Sequence, residues 1–129
     1  MGKSGFNYQE YVKWVKALGE TEKDFRNWLE EFLLKEAYRV LAKGKPRTPV
    51  DTGFLKSSWY VGDIEWIGNN LQVEIGLGAE YASYVEYDGI TRNYQGKYML
   101  TISLDEVQRD LPNQFNGAWL KFLKSKGVV

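Results

Sequence analysis

The sequence predicts an α+β fold in which a small antiparallel β-sheet packs against a long helix in the N-terminal half and a helix at the C-terminal end. Three observations carry this. Apolar residues fall at helical spacing from Tyr8 to Leu41, alternate at Ile64 and Trp66 and again from Leu71 to Leu77, and return to helical spacing from Leu104 to Leu123. Helices, then strands, then a helix is the segregated order of α+β chains, not the alternation of a parallel sheet.

Taken in order, Tyr8, Tyr11, Val12, Val15 and Leu18 form a first helical stripe that Gly19 ends. Thr21 is a good N-cap for a second helix, with Glu22 and Asp24 in the first turn, where carboxylates suit the helix dipole. Its inward stripe reads Phe25, Trp28, Leu29, Phe32, Leu33, Ala37, Val40 and Leu41. Lys43 followed by Gly44 predicts a stop there, with Pro46 and Pro49 keeping the next stretch extended. Asp51 and Thr52 are cap residues for a short helix from Gly53 to Trp59, with Phe54, Leu55 and Trp59 inward. From Tyr60 to Leu77 the pattern is a hairpin: Ile64 and Trp66, then Leu71, Val73, Ile75 and Leu77, share one apolar face around a Gly68-Asn69-Asn70 turn. Residues 81–87 read as a short helical or irregular turn, and Asp88 to Lys97 as a polar loop bounded by glycines. In the last segment Ser103 and Glu106 have capping-box spacing, Tyr98 to Ile102 fits a helix or a strand, and Pro112 predicts a kink or a restart.

A length of 129 residues suits a single domain, 1–129, with residues 1–20 as a helical extension of a core spanning 21–126. The 43% hydrophobic and 16% aromatic content is enough to build a core. With no cysteine there is no disulfide scaffold and no thiolate nucleophile or metal site; with no histidine the usual general base and the commonest metal ligand are gone. No signal or membrane-spanning segment is expected, since the most apolar C-terminal run, Tyr98 to Leu104, is far shorter than the roughly 20 residues a span needs.

The remaining catalytic candidates have simpler readings. Glu30-Glu31 fall on the polar side of an amphipathic helix, Glu86 and Asp88 lack a third carboxylate to complete a hard-cation site, and Gly76-Leu77-Gly78 lacks the later glycine of a dinucleotide loop. Lys45 and Lys56 near Ser57 and Ser58 do not have the Ser-x-x-Lys order. The expectation is a protein that is not an enzyme and needs no metal or cofactor.

Charge is zero overall, 17 cations against 17 carboxylates, but it is unevenly placed. Arg39, Lys43, Lys45, Arg47 and Lys56 against Asp51 leave a net +4, whereas Asp63, Glu65, Glu74, Glu80, Glu86 and Asp88 carry six negative charges with no Lys or Arg between them. Such patches are solvated faces or complementary contact surfaces. The basic stretch with Trp59, Tyr60 and Trp66 nearby also leaves nucleic-acid binding as an alternative, opposed by the acidic segment beside it.

The stretch Thr48-Pro49-Val50-Asp51-Thr52-Gly53-Phe54-Leu55-Lys56-Ser57-Ser58-Trp59 resembles the T-P-v-D-T-G-x-L-x-x-S signature of the gene-product-ten-like tail-component family of lambda-type long-tailed phages. A second stretch, Tyr81-Ala82-Ser83-Tyr84-Val85-Glu86-Tyr87-Asp88-Gly89, resembles that family's Y-A-x-Y-V-E-x-G pattern, with Gly89 one residue later than the pattern has it. The resemblance spans residues 22–125. It implies a structural virion protein of a phage or prophage, a neck (head–tail connector), tail-completion or minor tail component, with neck, connector or tail-tube proteins as partners and self-association into a ring. An adaptor of prophage or bacterial origin is the other reading of the same fold.

The motif residues also have local reasons. Pro49 fixes φ ahead of the cap, Asp51 or Thr52 accepts from the first helical N–H groups, Gly53 admits close backbone approach, and Leu55 with Trp59 anchors the short helix, with Ser58 between them. Ala82 is small where a turn meets the sheet, Tyr81 and Tyr84 bury rings beside Val85, and Glu86 caps a backbone N–H or pairs with a base such as Arg47. Arg47 and Lys56, with Arg92, Tyr94 and Gln95 on the polar loop, are the expected assembly surface.

Overall fold

The computed structural model describes residues 7–49, 53–78 and 99–128. The elements are α1 (Tyr8–Ala17), α2 (Glu22–Arg47), α3 (Phe54–Ser57), β1 (Trp59–Ile67), β2 (Asn70–Leu77) and α4 (Met99–Ser125). α2, 26 residues and about 39 Å long, is the spine: α1, the β1–β2 hairpin and α4 all pack on it. The fold class is α+β, as the residue pattern predicts.

Local chemistry sets the first two helices. The Asn7 side chain accepts the Glu10 N–H at 3.1 Å, and Gly19 leaves α1 with φ 87°. Thr21 and Asp24 form a reciprocal cap, Asp24 N–H donating to Thr21 Oγ1 at 3.0 Å and Thr21 N–H to the Asp24 carboxylate at 3.4 Å.

The end of α2 differs from expectation. Gly44 is not a stop but a buried helix residue, and Pro46 sits inside the last turn. Gly44 is where the helix meets Trp59: a Cβ built there would lie 2.1 Å from the indole Cη2, so only glycine admits the ring. The turn around Pro46, which lacks the N–H of an interior helix residue, is held from beyond. Thr48 N–H bonds Lys45 O at 3.0 Å, and Thr48 Oγ1–H donates to Gly44 O at 2.9 Å. The chain becomes extended only at Thr48, before Pro49.

α3 is a single turn, and Trp59 opens β1 instead of closing that helix. Leu55 and Trp59 are both buried as expected; the side chain of Phe54 lies outside the described residues. The hairpin turn is Gly68-Asn69, with Gly68 at φ 64° and Asn70 already paired with Ile67.

The pairing contains a shift that simple alternation does not show. Val61 pairs with Ile75 and Ile64 with Val73, so Gly62 and Asp63 together oppose Glu74. This β-bulge changes the parity of β1. It brings Trp59 and Val61, at odd positions, onto the same face as Ile64 and Trp66, at even ones; opposite them stand Leu77, Ile75, Val73 and Leu71.

α4 begins at Met99, so the segment from there is helical and Ser103 is not a cap. Ser103 is fully buried, its hydroxyl donating to the Met99 carbonyl and accepting from Arg47. The helix runs through Pro112 without restarting.

Among the described residues two cores lie at opposite ends of the spine. One joins Val40, Leu41, Leu55, Trp59, Met99 and Val107, covered by Val61, Ile75 and Leu77 of the sheet. The other is aromatic: Tyr8, Val12, Val15, Phe25, Leu29 and Trp119, with Tyr11, Trp28, Trp66, Phe115 and Phe122 around them. Phe25 is wholly buried, its ring 5.8 Å from Tyr8, 6.0 Å from Trp28 and 6.0 Å from Trp119.

Candidate assembly surfaces

The first motif forms the corner where α2, α3 and the sheet meet. Trp59 Nε1–H donates to Thr48 Oγ1 at 2.8 Å, inside the packing against Gly44. Ser58 Oγ–H donates to Leu55 O at 2.7 Å, and Ser58 O accepts Gly78 N–H at 2.9 Å, closing the base of the hairpin. Gly53 occupies the N-cap position of α3 at φ 73°, and among the described residues no atom beyond its chain neighbours lies within 4 Å of a Cβ built on it. That left-handed backbone is one that glycine adopts without steric cost. Pro49 is half-buried at the start of the motif. Asp51 and Thr52 lie outside the described residues, as do Tyr81, Ala82, Tyr84, Val85, Glu86 and Gly89 of the second motif and Arg92, Tyr94 and Gln95 of the loop.

The basic stretch is largely matched within the molecule. Arg39 meets Glu36 at 2.8 Å and Asp110 at 3.1 Å; Arg47 meets Glu106 at 2.8 Å and also donates to Ser103 at 2.8 Å; Lys43 approaches Glu106 at 3.7 Å. Glu36 is a charged residue only 5% exposed, so Arg39 is the partner that makes its burial tolerable. The three cations thus line the α2–α4 seam. Of the five expected basic residues, Lys45 and Lys56 have no ion pair among the described residues.

This seam has a pH signature. The Arg47 guanidinium holds Glu106 below the ordinary carboxylate range, and hydrogen bonds from Gln114 and then Arg39 hold Asp110 down likewise. A carboxyl depressed in the folded state contributes stability above its unfolded pKa, and that contribution is lost as pH falls through the folded value. Thermal melts in low salt should therefore be flat around neutrality and fall below about pH 4.5. The acid loss should shrink in the Glu106→Gln, Asp110→Asn double variant; an identical acid limb in that variant would show that the seam does not drive it.

The outward face of the hairpin is acidic. Asp63, Glu65 and Glu74 are exposed there, with Gln72 donating to Glu65 at 3.1 Å and Tyr60 to Glu74 at 3.2 Å. The hairpin tip is tied down by contacts that residue patterning misses. Trp66 Nε1–H donates to Glu30 at 2.7 Å, which places Glu30 half-buried at an inter-element bond and leaves only Glu31 on the polar side. The Arg26 guanidinium lies 4.1 Å from the Trp66 ring and donates to Tyr8 Oη at 2.9 Å, while Tyr8 donates to Glu22 at 2.6 Å. Beside this knot runs an open groove of 790 Å³, floored by Tyr11, Phe32, Leu33, Leu111 and Phe115 and edged by the amides of Asn69 and Asn116.

Among the described residues no group of three or more Asp or Glu is placed to hold a metal ion, and no helix is long and apolar enough to cross a membrane. The described residues present an acidic sheet face, a corner carrying Lys56, and an apolar groove.

A family profile described as a bacteriophage HK97-gp10 tail component matches residues 13–87, from α1 through the first motif and into the second as far as Tyr87. Neither the curated proteins nor the solved structures contain a match. The profile starts earlier than the span carried by the two motifs and stops short of α4, yet it takes in more than half of the chain. The chain belongs to the HK97-gp10-like family of bacteriophage tail components.

Proposed function

We propose that the chain is a non-enzymatic structural protein of a phage or prophage virion, acting at the head–tail junction or the tail end as a neck, tail-completion or minor tail component. The family match carries this reading. The surfaces support it: the acidic hairpin face and the Lys56 corner are chemically unlike, which suits the head-to-tail contacts of a ring matching a symmetric tube. Because Arg39, Lys43 and Arg47 are paired across the α2–α4 seam, the basic stretch offers less free charge to phosphates than its count implies, which weighs against nucleic-acid binding there.

Complementation in a phage carrying this gene is the test. Disrupting the gene is expected to give particles whose heads and tails fail to join or whose tails are unfinished, seen by electron microscopy, and the wild-type chain in trans should restore them. Lys56→Glu, which leaves the seam intact, should lower the yield of complete particles about tenfold while the purified variant keeps its helix content. Normal infectious particles without the gene would overturn the reading.

A further inference from the structure

α2 carries a second apolar stripe on the side turned away from both cores. Leu34, Tyr38 and Ala42 follow one another at four-residue steps, with Glu31 and Lys45 at the two ends. Tyr38 is 59% exposed, the most exposed of the large apolar side chains among the described residues. Glu31 and Ala42 are exposed too, and a shallow hollow of 550 Å³ surrounds the ring. Among the described residues neither core takes up this tyrosine and leucine, on a helix whose opposite side already serves both.

The order of the stripe is a palindrome about Tyr38. Leu34 and Ala42 lie four residues to either side of it, and Glu31 and Lys45 seven to either side. When two such helices cross antiparallel about a two-fold axis at Tyr38, each residue stands level with the one equally far beyond the centre in its mate. Leu34 then meets Ala42, a large side chain against a small one, and Glu31 meets Lys45, a carboxylate against an ammonium. Each match occurs twice, as an isologous contact requires. Lys45 has no ion pair within its own chain among the described residues, which leaves it available to do this.

We infer that this face binds a second copy of the chain, forming an antiparallel α2–α2 dimer centred on Tyr38. The contact closes at two copies, so it is separate from the head-to-tail contacts of a ring and does not depend on the virion role. Residues 31–45 span about 21 Å of one helix, less surface than the roughly 800 Å² per partner of a standard interface. The dimer should therefore exchange rapidly, with a Kd on the order of tens of micromolar.

Sedimentation equilibrium on the purified full chain across a concentration series tests this. The mass should climb from 14.9 kDa towards twice that value and no further. Tyr38→Glu should remain monomeric throughout, with an unchanged circular dichroism spectrum because the ring is already in solvent. Lys45→Glu should weaken association about tenfold, since two attractions become two repulsions, and adding Glu31→Lys to it should restore the wild-type affinity. A wild-type chain that stays monomeric, assembles beyond two copies, or associates equally well as Tyr38→Glu would overturn the proposal. So would a double exchange that remains as weak as Lys45→Glu alone.

Discussion

Trp59→Ala is expected to lower the unfolding free energy by about 3–5 kcal/mol, one of the two largest single effects in this chain. The indole is 6% exposed and joins α2, α3, the sheet and α4 in one core with Val40, Leu41, Leu55 and Met99. It lies in the gap that Gly44 leaves on α2, so its removal opens a void lined partly by rigid helix backbone, which collapses poorly. Trp59→Phe separates the causes. It keeps much of the volume and loses the bond to Thr48, whose hydroxyl still donates to Gly44 O, and should cost nearer 1–2 kcal/mol. Urea melts followed by circular dichroism, with the slope unchanged between variants, would measure both. A loss below about 1 kcal/mol for the alanine variant would mean that the corner is not a core.

Phe25→Ala should be comparably severe, about 3–5 kcal/mol, but its consequences are local to the other end. Among the described residues Phe25 is the one aromatic ring with no exposure at all, and it contacts Tyr8 and Tyr11 on α1, Trp28 on its own helix and Trp119 on α4. α1 is otherwise attached by Val12, Val15, the Tyr8–Glu22–Arg26 knot and the rings of Tyr11 and Trp14 against Phe115 and Trp119, most of them within the same aromatic core. Amide exchange across residues 8–17 should therefore accelerate far more than exchange in the hairpin base, which rests on the first core. Equal acceleration at both ends would refute the division into two cores.

The parts of this architecture that were legible from residue order are those decided locally. The Thr21–Asp24 cap, the inward stripe of α2 and the two-strand hairpin each rest on neighbours within a few positions. What was not legible rests on distant contacts. Glycine after lysine is a good helix stop, and Pro46 reinforces it, yet packing of Trp59 on Gly44 and the bonds of Thr48 and Arg47 carry α2 onward. Ser103 and Glu106 have capping-box spacing, yet both are ligands of Arg47, 56 and 59 residues away. The same blindness affects the surface. A charge count along one stretch cannot see that Asp110, 71 residues from Arg39, cancels part of it. The bulge at Gly62-Asp63 left a trace, because Trp59 and Val61 are out of phase with Ile64 and Trp66, but choosing between a bulge and the end of a strand needs the partner strand.

The tryptophans divide with the cores. Trp28, Trp66 and Trp119 belong to the aromatic end, and Trp14 stands beside Trp119 at 6.4 Å; Trp59 alone serves the other. Trp14 and Trp28 lie against Trp119, and Trp66 against Tyr8, so these four indoles sit in one aromatic cluster, whereas the fifth emits from a different neighbourhood. The difference between the emission of the native chain and that of Trp59→Phe is thus the optical record of a single core. Whatever docks on this protein announces, by which component of that spectrum it disturbs, the end of the molecule at which it has settled.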